Sequence, residues 1–397
     1  MTNAVTSLAN AVSEAIDQQL GNVDELALPR DVAIHRTAER LVREALVRGH
    51  AGDAEVGSVE RFGAGNTAML VARVQTSISF VVKVDTSEAL LNEAHLLQRI
   101  AGDPSLPATT RRAFPRIFAI DDVGPLYGYL MEDLSEHEPL HLALRRGDPG
   151  SAVVVERLWD DVMAPAYRAT ARPRLAPQLW EDYFGRAELR ILDAAARGNL
   201  PEACEPVTLA LDGSALALPG GWGPLLISAR QRLESVAPAF GTWVHGDPNP
   251  ENALWSPGTD GRLHFRLLDP KDWWTGDYLF DVAKLGHYAG VTLAAEAGQV
   301  VVETACAADG WHFAVSRLPE YGLAVEAALL ARVELLAIEL SDKHWRMRYQ
   351  FARAANLLSV AGGRASRPEL SGAQLRLTHI LFARGLAGLA TVIGVHQ

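Results

Sequence analysis

Cysteine is almost missing from this 397-residue sequence: Cys204 and Cys306 each stand alone, so neither a disulfide framework nor a cysteine-based zinc site is indicated. Positive charge is in deficit. Against 48 Asp+Glu there are 37 Lys+Arg, and the formal net charge of −11 disfavours general attraction to phosphate backbones or anionic membranes. No nucleic-acid and no membrane partner is expected, with a local basic pocket left open. Long apolar runs are also lacking: the longest clear one, residues 385–395, falls well short of the roughly 18–20 residues a spanning helix needs. The N-terminus, Met1-Thr2-Asn3-Ala4-Val5 with Glu14 soon after, has neither the positive start nor the continuous apolar stretch of a signal peptide. A cytoplasmic protein in a reducing interior is expected.

What is present is a globular composition, 48% apolar and 21% charged, with 33 Gly and 21 Pro spread along the chain. The length exceeds one ordinary domain of about 100–200 residues, which predicts two lobes. Val5, Leu8, Val12, Ile16 and Leu20 share one helical face, and a second helix is expected after Pro29, with Asp31 in its first turn, Ile34, Leu41 and Ala45 inward, and a stop near Gly49. Residues 1–50 thus read as an N-terminal helical extension. From Glu55 the grammar becomes β-rich: Val56, Val59 and Phe62, then residues 69–74, then 78–84, form an antiparallel meander. Residues 85–100 return to helical period with Leu90, Ala94 and Leu97 aligned and Asp85 placed to cap three residues before Glu88. Two short strands, 117–120 and 127–131, complete the order β-β-β-α-β-β for a lobe over 51–133. Residues 134–397 read as mostly helical, with helices at 152–169, 178–196, 225–236, 329–340 and 350–358, Pro165 ending the first early, and 198–224 as a Gly/Pro-punctuated loop. Small β pieces are expected at 243–244 and 264–268, and a hairpin at 300–306 and 311–315 around Asp309-Gly310. The class is α+β.

The strongest constellation is His245-Gly246-Asp247-Pro248-Asn249-Pro250-Glu251-Asn252, followed after a short β-like link by Leu267-Leu268-Asp269-Pro270-Lys271-Asp272. Asp247, Asn252 and Asp269 put three oxygen-bearing side chains on two strand-flanked loops. That set suits phosphoryl transfer from a nucleotide, which needs hard oxygen ligands for magnesium and a carboxylate to orient an acceptor hydroxyl. Asp247 would take the acceptor proton; Asn252 and Asp269 would hold the metal.

With these residues the sequence resembles the aminoglycoside phosphotransferase and choline kinase-like group of small-molecule kinases, relatives of protein kinases. His245, Asp247 and Asn252 match the family's catalytic loop, Asp269 its metal-binding Asp, and Gly276-Asp277 with Asp281-Val282-Ala283-Lys284 its following helix. The resemblance runs from about Glu55 to Tyr288. It implies a protein kinase-like bilobal fold with a five-stranded antiparallel N-lobe sheet, one helix upon it, and a mostly helical C-lobe. Such a fold needs a Lys on the third strand and a Glu on the next helix to clamp nucleotide phosphates, and Lys83 and Glu93 stand there. Lys83 alone would be an edge charge and Glu93 alone a solvated helix face; ten residues apart in this order, the ion pair is the better reading. The turn Phe62-Gly63-Ala64-Gly65-Asn66-Thr67 joins strand to strand where backbone N–H groups can cradle phosphate, so Gly63, Gly65, Asn66 and Thr67 are nucleotide-binding candidates, Asn66 and Thr67 equally readable as turn formers. It lacks the Gly-Lys-Ser/Thr ending of a Walker loop, and both the P-loop and Rossmann readings fail. By resemblance, the backbone around Glu132 to Leu134 would bond the adenine edge, with Met131 on its apolar side.

His245 reads as a brace for the loop, Asp281 as acceptor of the loop's backbone hydrogen bonds, and Asp277 as the cap of the helix beginning near Tyr278. Lys271, Asp272, Trp273 and Trp274 depart from the family's pattern and are the acceptor-binding candidates, with the tryptophans either packing between lobes or stacking on a sugar face. The implied activity is transfer of the γ-phosphate of ATP, with GTP left open, to a hydroxyl of a small molecule, with Mg²⁺ as cofactor. A sugar, aminosugar or aminocyclitol-like acceptor is favoured over a choline or amino-acid one; Asp133, Glu136, Glu138, Glu181 and Asp182, in the acceptor lobe or at its border, are acids that could attract an amino group and that an acidic surface explains equally well. A protein kinase is disfavoured because Asp281 follows Asp269 by only twelve positions, leaving no room for a regulated activation segment. A non-catalytic nucleotide-binding module normally lacks one of Lys83, Asp247, Asn252 or Asp269, and all four are present.

Overall fold

The computed structural model describes residues 37, 41, 58–61, 70–75, 79–122, 126–147, 150–174, 178–367 and 369–395. The expected glycine turn and nearly all of the N-terminal extension lie outside them; Thr37 and Leu41 are helical and buried. The chain divides into two compact units, 1–137 with 266–271, and 138–265 with 272–397. Segment 266–271, expected with the helical lobe, therefore belongs by its contacts to the first unit.

In the first unit, β1 (Ser58–Arg61), β2 (Leu70–Gln75), β3 (Ser79–Asp85), β4 (Ile117–Asp121) and β5 (Tyr127–Glu132) form one sheet in the order β1-β2-β3-β5-β4, every pair antiparallel. Helix α1 (Glu88–Gly102) lies between β3 and β4 in the chain. It buries Leu90, Ala94, Leu96, Leu97 and Ile100, the face that three- and four-residue spacing makes contiguous. Leu90 and Ala94 join Val71, Val81, Tyr129 and Met131 in the core between helix and sheet. The helix is capped by Ser87, whose Oγ accepts from Ala89 N at 3.3 Å, and not by Asp85. Asp85 Oδ1 instead accepts from Ser87 N at 2.9 Å, closing the turn that leads out of β3.

The second unit is mostly helical, around α5 (Trp345–Ala365), against which pack α2 (Arg186–Ala196), α3 (Leu279–His287) and α6 (Gly372–Ile393), with α4 (Glu320–Glu339) against α3. Close approach depends on missing side chains: a Cβ on Gly362 would lie 2.6 Å from the Arg190 carbonyl carbon, and one on Gly385 2.8 Å from Leu358 Cγ. By length and composition α6 is able to cross a membrane, contrary to the reading that no segment approaches this, because its polar residues are spaced among the apolar ones; 67% of its most apolar window is buried within the protein.

Two further expectations are corrected. Pro165 does not end its helix: Gly150–Leu158, a π-helical turn Trp159–Met163 and Ala164–Thr170 run on, with Ala164 N bonded to Trp159 O five residues back and Pro165 in the first turn of the last segment, where a missing N–H costs least. Within 198–224 lies a hairpin, β6 (Val207–Leu211) and β7 (Ser214–Leu218), which joins β11 (Val302–Ala307) and β12 (Gly310–Val315) in a four-stranded sheet of order β11-β12-β6-β7, with β12 and β6 parallel. Its turn takes Asp212 and Gly213 at φ 53° and 85°. Residues 245–252 connect β8 (Phe240–Val244) to β9 (Ala253–Pro257), and β8 pairs antiparallel with β10 (Trp273–Gly276), which runs directly into α3.

Candidate active site

Strand β3 buries Phe80, Val81, Val82 and Val84 and breaks that apolar run only at Lys83. The Lys83 ammonium lies 3.0 Å from Glu93 Oε1 on α1 and 3.8 Å from Asp269 Oδ1, and Tyr129 on β5 donates to the same Glu93 oxygen at 2.7 Å. Burial alone would push the Glu93 carboxyl up; Lys83 beside it and the hydrogen bonds from Tyr129 and Lys83 outweigh that and hold it below the usual range. The Tyr129 hydroxyl is raised, by burial and then by Glu93, and stays a donor. Tyr129 carries no motif signal; its place opposite Lys83 in the β3–β5 register was the one clue available.

Asp269 is tied to this unit by its neighbours: Leu267 N donates to Ala113 O at 2.7 Å, and the Arg266 guanidinium bonds Arg112 O and, at 2.9 Å, Glu132 Oε1. Asp269 adopts φ 53°, a left-handed conformation that Asp tolerates better than most residues. Loss of solvent raises its carboxyl, Lys83 opposes this, and the adjacent Glu93 adds to it. One ammonium thus faces two carboxylates, an excess of negative charge on hard oxygen donors that suits a divalent cation. Among the described residues no three or more His, Cys, Asp or Glu are grouped to hold a metal by themselves. Magnesium in nucleotide sites takes one or two protein ligands and substrate phosphates, so the residues fit that ion.

Of the other expected nucleotide contacts, Met131 is buried in the core between α1 and the sheet. Glu132 N donates to Arg116 O at 2.9 Å, its side chain bonds Arg116 N at 3.2 Å, and Leu134 O accepts from His137 N at 2.9 Å.

In the second unit the loop after β8 is built around a buried carboxylate. Asp281, in the first turn of α3 and fully buried, accepts from His245 N at 2.7 Å, Gly246 N at 2.8 Å and Tyr167 OH at 2.8 Å. Gly246 at φ 82° lets two successive N–H groups converge on it, a conformation a side chain would resist. Burial raises the Asp281 carboxyl to about 7, against the pull of these three donors. His245 is fully buried, and its Nδ1 accepts from Asp247 N at 3.2 Å, so the ring braces the backbone at Asp247. Asn252 Nδ2 donates to Asp247 O at 3.0 Å, which commits the amide nitrogen and turns the carbonyl oxygen, a suitable metal ligand, the other way.

Asp277 Oδ1 accepts from Leu279 N at 3.1 Å, the cap of α3, while Oδ2 accepts from Arg348 Nε at 2.6 Å and Tyr183 OH at 2.8 Å. Trp273 stands edge-on to Phe280 with centroids 5.1 Å apart, so its ring is packed on α3; Trp274 is half-buried and Asp272 exposed. In the first unit Lys271 is exposed. Four of the acids expected to attract an amino group have basic partners: Asp133 with Arg73 at 3.0 Å, Asp182 with Arg174 at 2.9 Å, Glu181 with Arg230 at 3.9 Å, and Glu138 with Arg146. One residue the motif reading left unused stands beside Asp247: Lys284 Nζ is 3.2 Å from Asp247 Oδ1.

Comparison with known families matches residues 58–319 to the phosphotransferase enzyme family APH, and the chain belongs to that family. It is accordingly a kinase of small molecules, with the α+β, protein kinase-like fold. Among solved structures it is similar to Plasmodium vivax ethanolamine kinase (11% identity, 97% of this chain and 94% of that one, TM-score 0.49). It is similar also to choline kinase from Cryptosporidium parvum Iowa II (11%, 86% and 90%, TM-score 0.49). A third is a thermostable mutant of aminoglycoside phosphotransferase APH(4)-Ia, in ternary complex with AMP-PNP and hygromycin B (11%, 88% and 97%, TM-score 0.48). Comparison with curated proteins gives no match.

Proposed function

We propose that the protein transfers the γ-phosphate of ATP to a hydroxyl of a sugar, aminosugar or aminocyclitol-like small molecule. The observation that carries the nucleotide half of this reading is the Lys83 ammonium between Glu93 at 3.0 Å and Asp269 at 3.8 Å. A lysine so fixed neutralises phosphate charge without having to be ordered at the moment of reaction. Asp269 and Asn252 are the residues that would hold Mg²⁺, which when bound supplies further neutralisation of the phosphates. Asp247 orients the acceptor hydroxyl for in-line attack and receives its proton. His245 and Asp281 hold the loop backbone and take no proton from substrate. With Glu138, Glu181 and Asp182 paired to arginines, the acceptor lobe offers less attraction to a cationic group than the sequence suggests, and this favours recognition through sugar hydroxyls.

The test is acceptor-dependent ADP release from Mg·ATP across aminoglycosides, hexoses, aminosugars, cyclitols, choline and homoserine, with Asp247→Asn as the blank. Stimulation by a hydroxylated sugar or cyclitol class, reduced at least ~100-fold in Asp247→Asn with nucleotide binding retained, is the expected outcome. Stimulation by choline or homoserine alone would replace the acceptor class, and equal turnover by Asp247→Asn would remove that residue from the mechanism.

A further inference from the structure

Lys284 has no part in the reading above, yet its ammonium is 3.2 Å from Asp247 Oδ1, with only 16% and 28% of the two side chains exposed. The geometry follows from helix spacing. Lys284 is three residues after Asp281, so both point from the same face of α3, one turn apart. That one face fastens the loop twice: Asp281 takes the backbone N–H groups of His245 and Gly246, and Lys284 takes the side chain of Asp247. The lysine stem is itself steadied, with Nζ 5.7 Å from the centre of the Phe280 ring, and Phe280 is braced in turn by Trp273. Its charge falls in the last turn of α3, where a cation is favoured by the helix dipole.

We propose that Lys284 is a positioning residue for phosphoryl transfer, holding the Asp247 carboxylate in the orientation from which it receives the acceptor's proton. In that step the acceptor oxygen bonds to the γ-phosphorus, the bond from phosphorus to the β,γ-bridging oxygen breaks and leaves its electron pair on ADP, and the hydroxyl proton passes to Asp247. Lys284 acts through Asp247 and touches none of the reacting atoms. An aspartate side chain turns about two bonds; a misplacement on the order of 1 Å costs roughly 100-fold in rate, the scale of effect a lost tether produces. The inference rests on the assignment of Asp247 above.

The experiment compares Lys284→Met, Lys284→Arg, Asp247→Asn and the double variant Lys284→Met/Asp247→Asn, with kcat and KM for ATP measured using the acceptor found in the panel, and thermal midpoints recorded for all four. Lys284→Met is expected to lower kcat by about 10- to 100-fold with KM for ATP within about twofold. Lys284→Arg regains part of the loss, and the double variant is no slower than Asp247→Asn, because the lysine has nothing left to orient. Unchanged or increased kcat in Lys284→Met overturns the proposal, as does a further loss in the double variant, which would mean that the ammonium acts elsewhere. A fall in thermal midpoint that Arg fails to restore, with KM for ATP raised alongside, would reduce Lys284 to a structural role and also overturn it. If the wild type releases no ADP with any acceptor, the functional reading falls and this inference with it; an active wild type and an indifferent Lys284→Met sink the inference alone.

Discussion

Arg348 is 1% exposed, and its guanidinium lies among carboxylates that are as deeply buried. Nε donates to Asp277 Oδ2 at 2.6 Å, Nη1 to Asp342 Oδ1 at 2.7 Å, and Nη2 to Asp342 Oδ2 at 2.5 Å. Burial works against its charge, but the two aspartates hold its proton more firmly than usual. Arg348→Met keeps the volume of the stem and removes the cation, leaving Asp277 and Asp342 facing each other without a counter-ion. Breaking a buried pair in this way costs about 3–5 kcal/mol. Two carboxylates are stranded here, which pushes the loss upward. Tyr183, Tyr278 and the Leu279 N–H still donate to them at 2.8, 3.0 and 3.1 Å, which pulls it back by about 1 kcal/mol each at most. A loss of about 4 kcal/mol at pH 7 is expected, measured by urea unfolding followed by tryptophan fluorescence. In Arg348→Met with Asp277→Asn and Asp342→Asn most of the stability returns, since neutral groups of similar shape replace the ions. A loss below about 1 kcal/mol in the single variant, or a triple variant no better than the single, would refute this accounting. Because Asp277 caps the helix that carries Asp281 and Lys284, the single variant should also lose phosphotransfer activity at temperatures below its unfolding transition.

Asp269→Ala is expected to abolish the magnesium dependence of ATP binding while leaving the fold intact, because the removed carboxyl is half exposed; an unchanged magnesium titration would refute its assignment as a metal ligand. His287 is fully buried beside Thr292, 3.1 Å from its ring, and burial, with the charges of Lys284 and Arg353 adding to it, holds its ring well below the usual histidine range. Below the unfolded value of about 6.5 the unfolded chain therefore binds a proton that the folded one does not, and stability falls with falling pH by up to about 1.4 kcal/mol per unit from this group. His287→Gln should flatten the contribution of this group to the slope of unfolding free energy between about pH 6.5 and 5, leaving His379 and His141, also lowered by burial, with the same sign and Asp281, raised to about 7, with the opposite one; an unaltered slope would show that His287 is protonated in the fold.

How much of this was visible in the sequence depended on whether a feature is local. The chain order of strands and helix in the first unit follows from period within residues 58–132, and the resemblance, which asks for a Lys on the third strand and a Glu on the next helix, pointed to the pairing of Lys83 with Glu93. His245 to Asn252 lie on one loop, so their grouping needed no tertiary information. The hairpin at 207–218 was also written locally, with Val207, Leu209, Leu211, Leu216 and Leu218 buried at alternate positions around Asp212-Gly213. The surrounding Gly and Pro hid it, because breaker residues are equally frequent at the borders of short strands. Other features had no local trace. Arg348 meets Asp277 from 71 positions away, and nothing in the sequence separates it from Arg346, Arg353 and Arg364 on the same helix until the packing of α5 is known. Lys284 was legible as a residue of the family element but not as a partner of Asp247: helix spacing says that it shares a face with Asp281, and only the fold says what that face touches. The positions that identify the class of chemistry are thus carried on short contiguous stretches, whereas the groups that hold them in place arrive from distant helices. A motif reading can therefore name the reaction correctly and still miss half of what positions its residues, and Lys284 is where that difference can be measured.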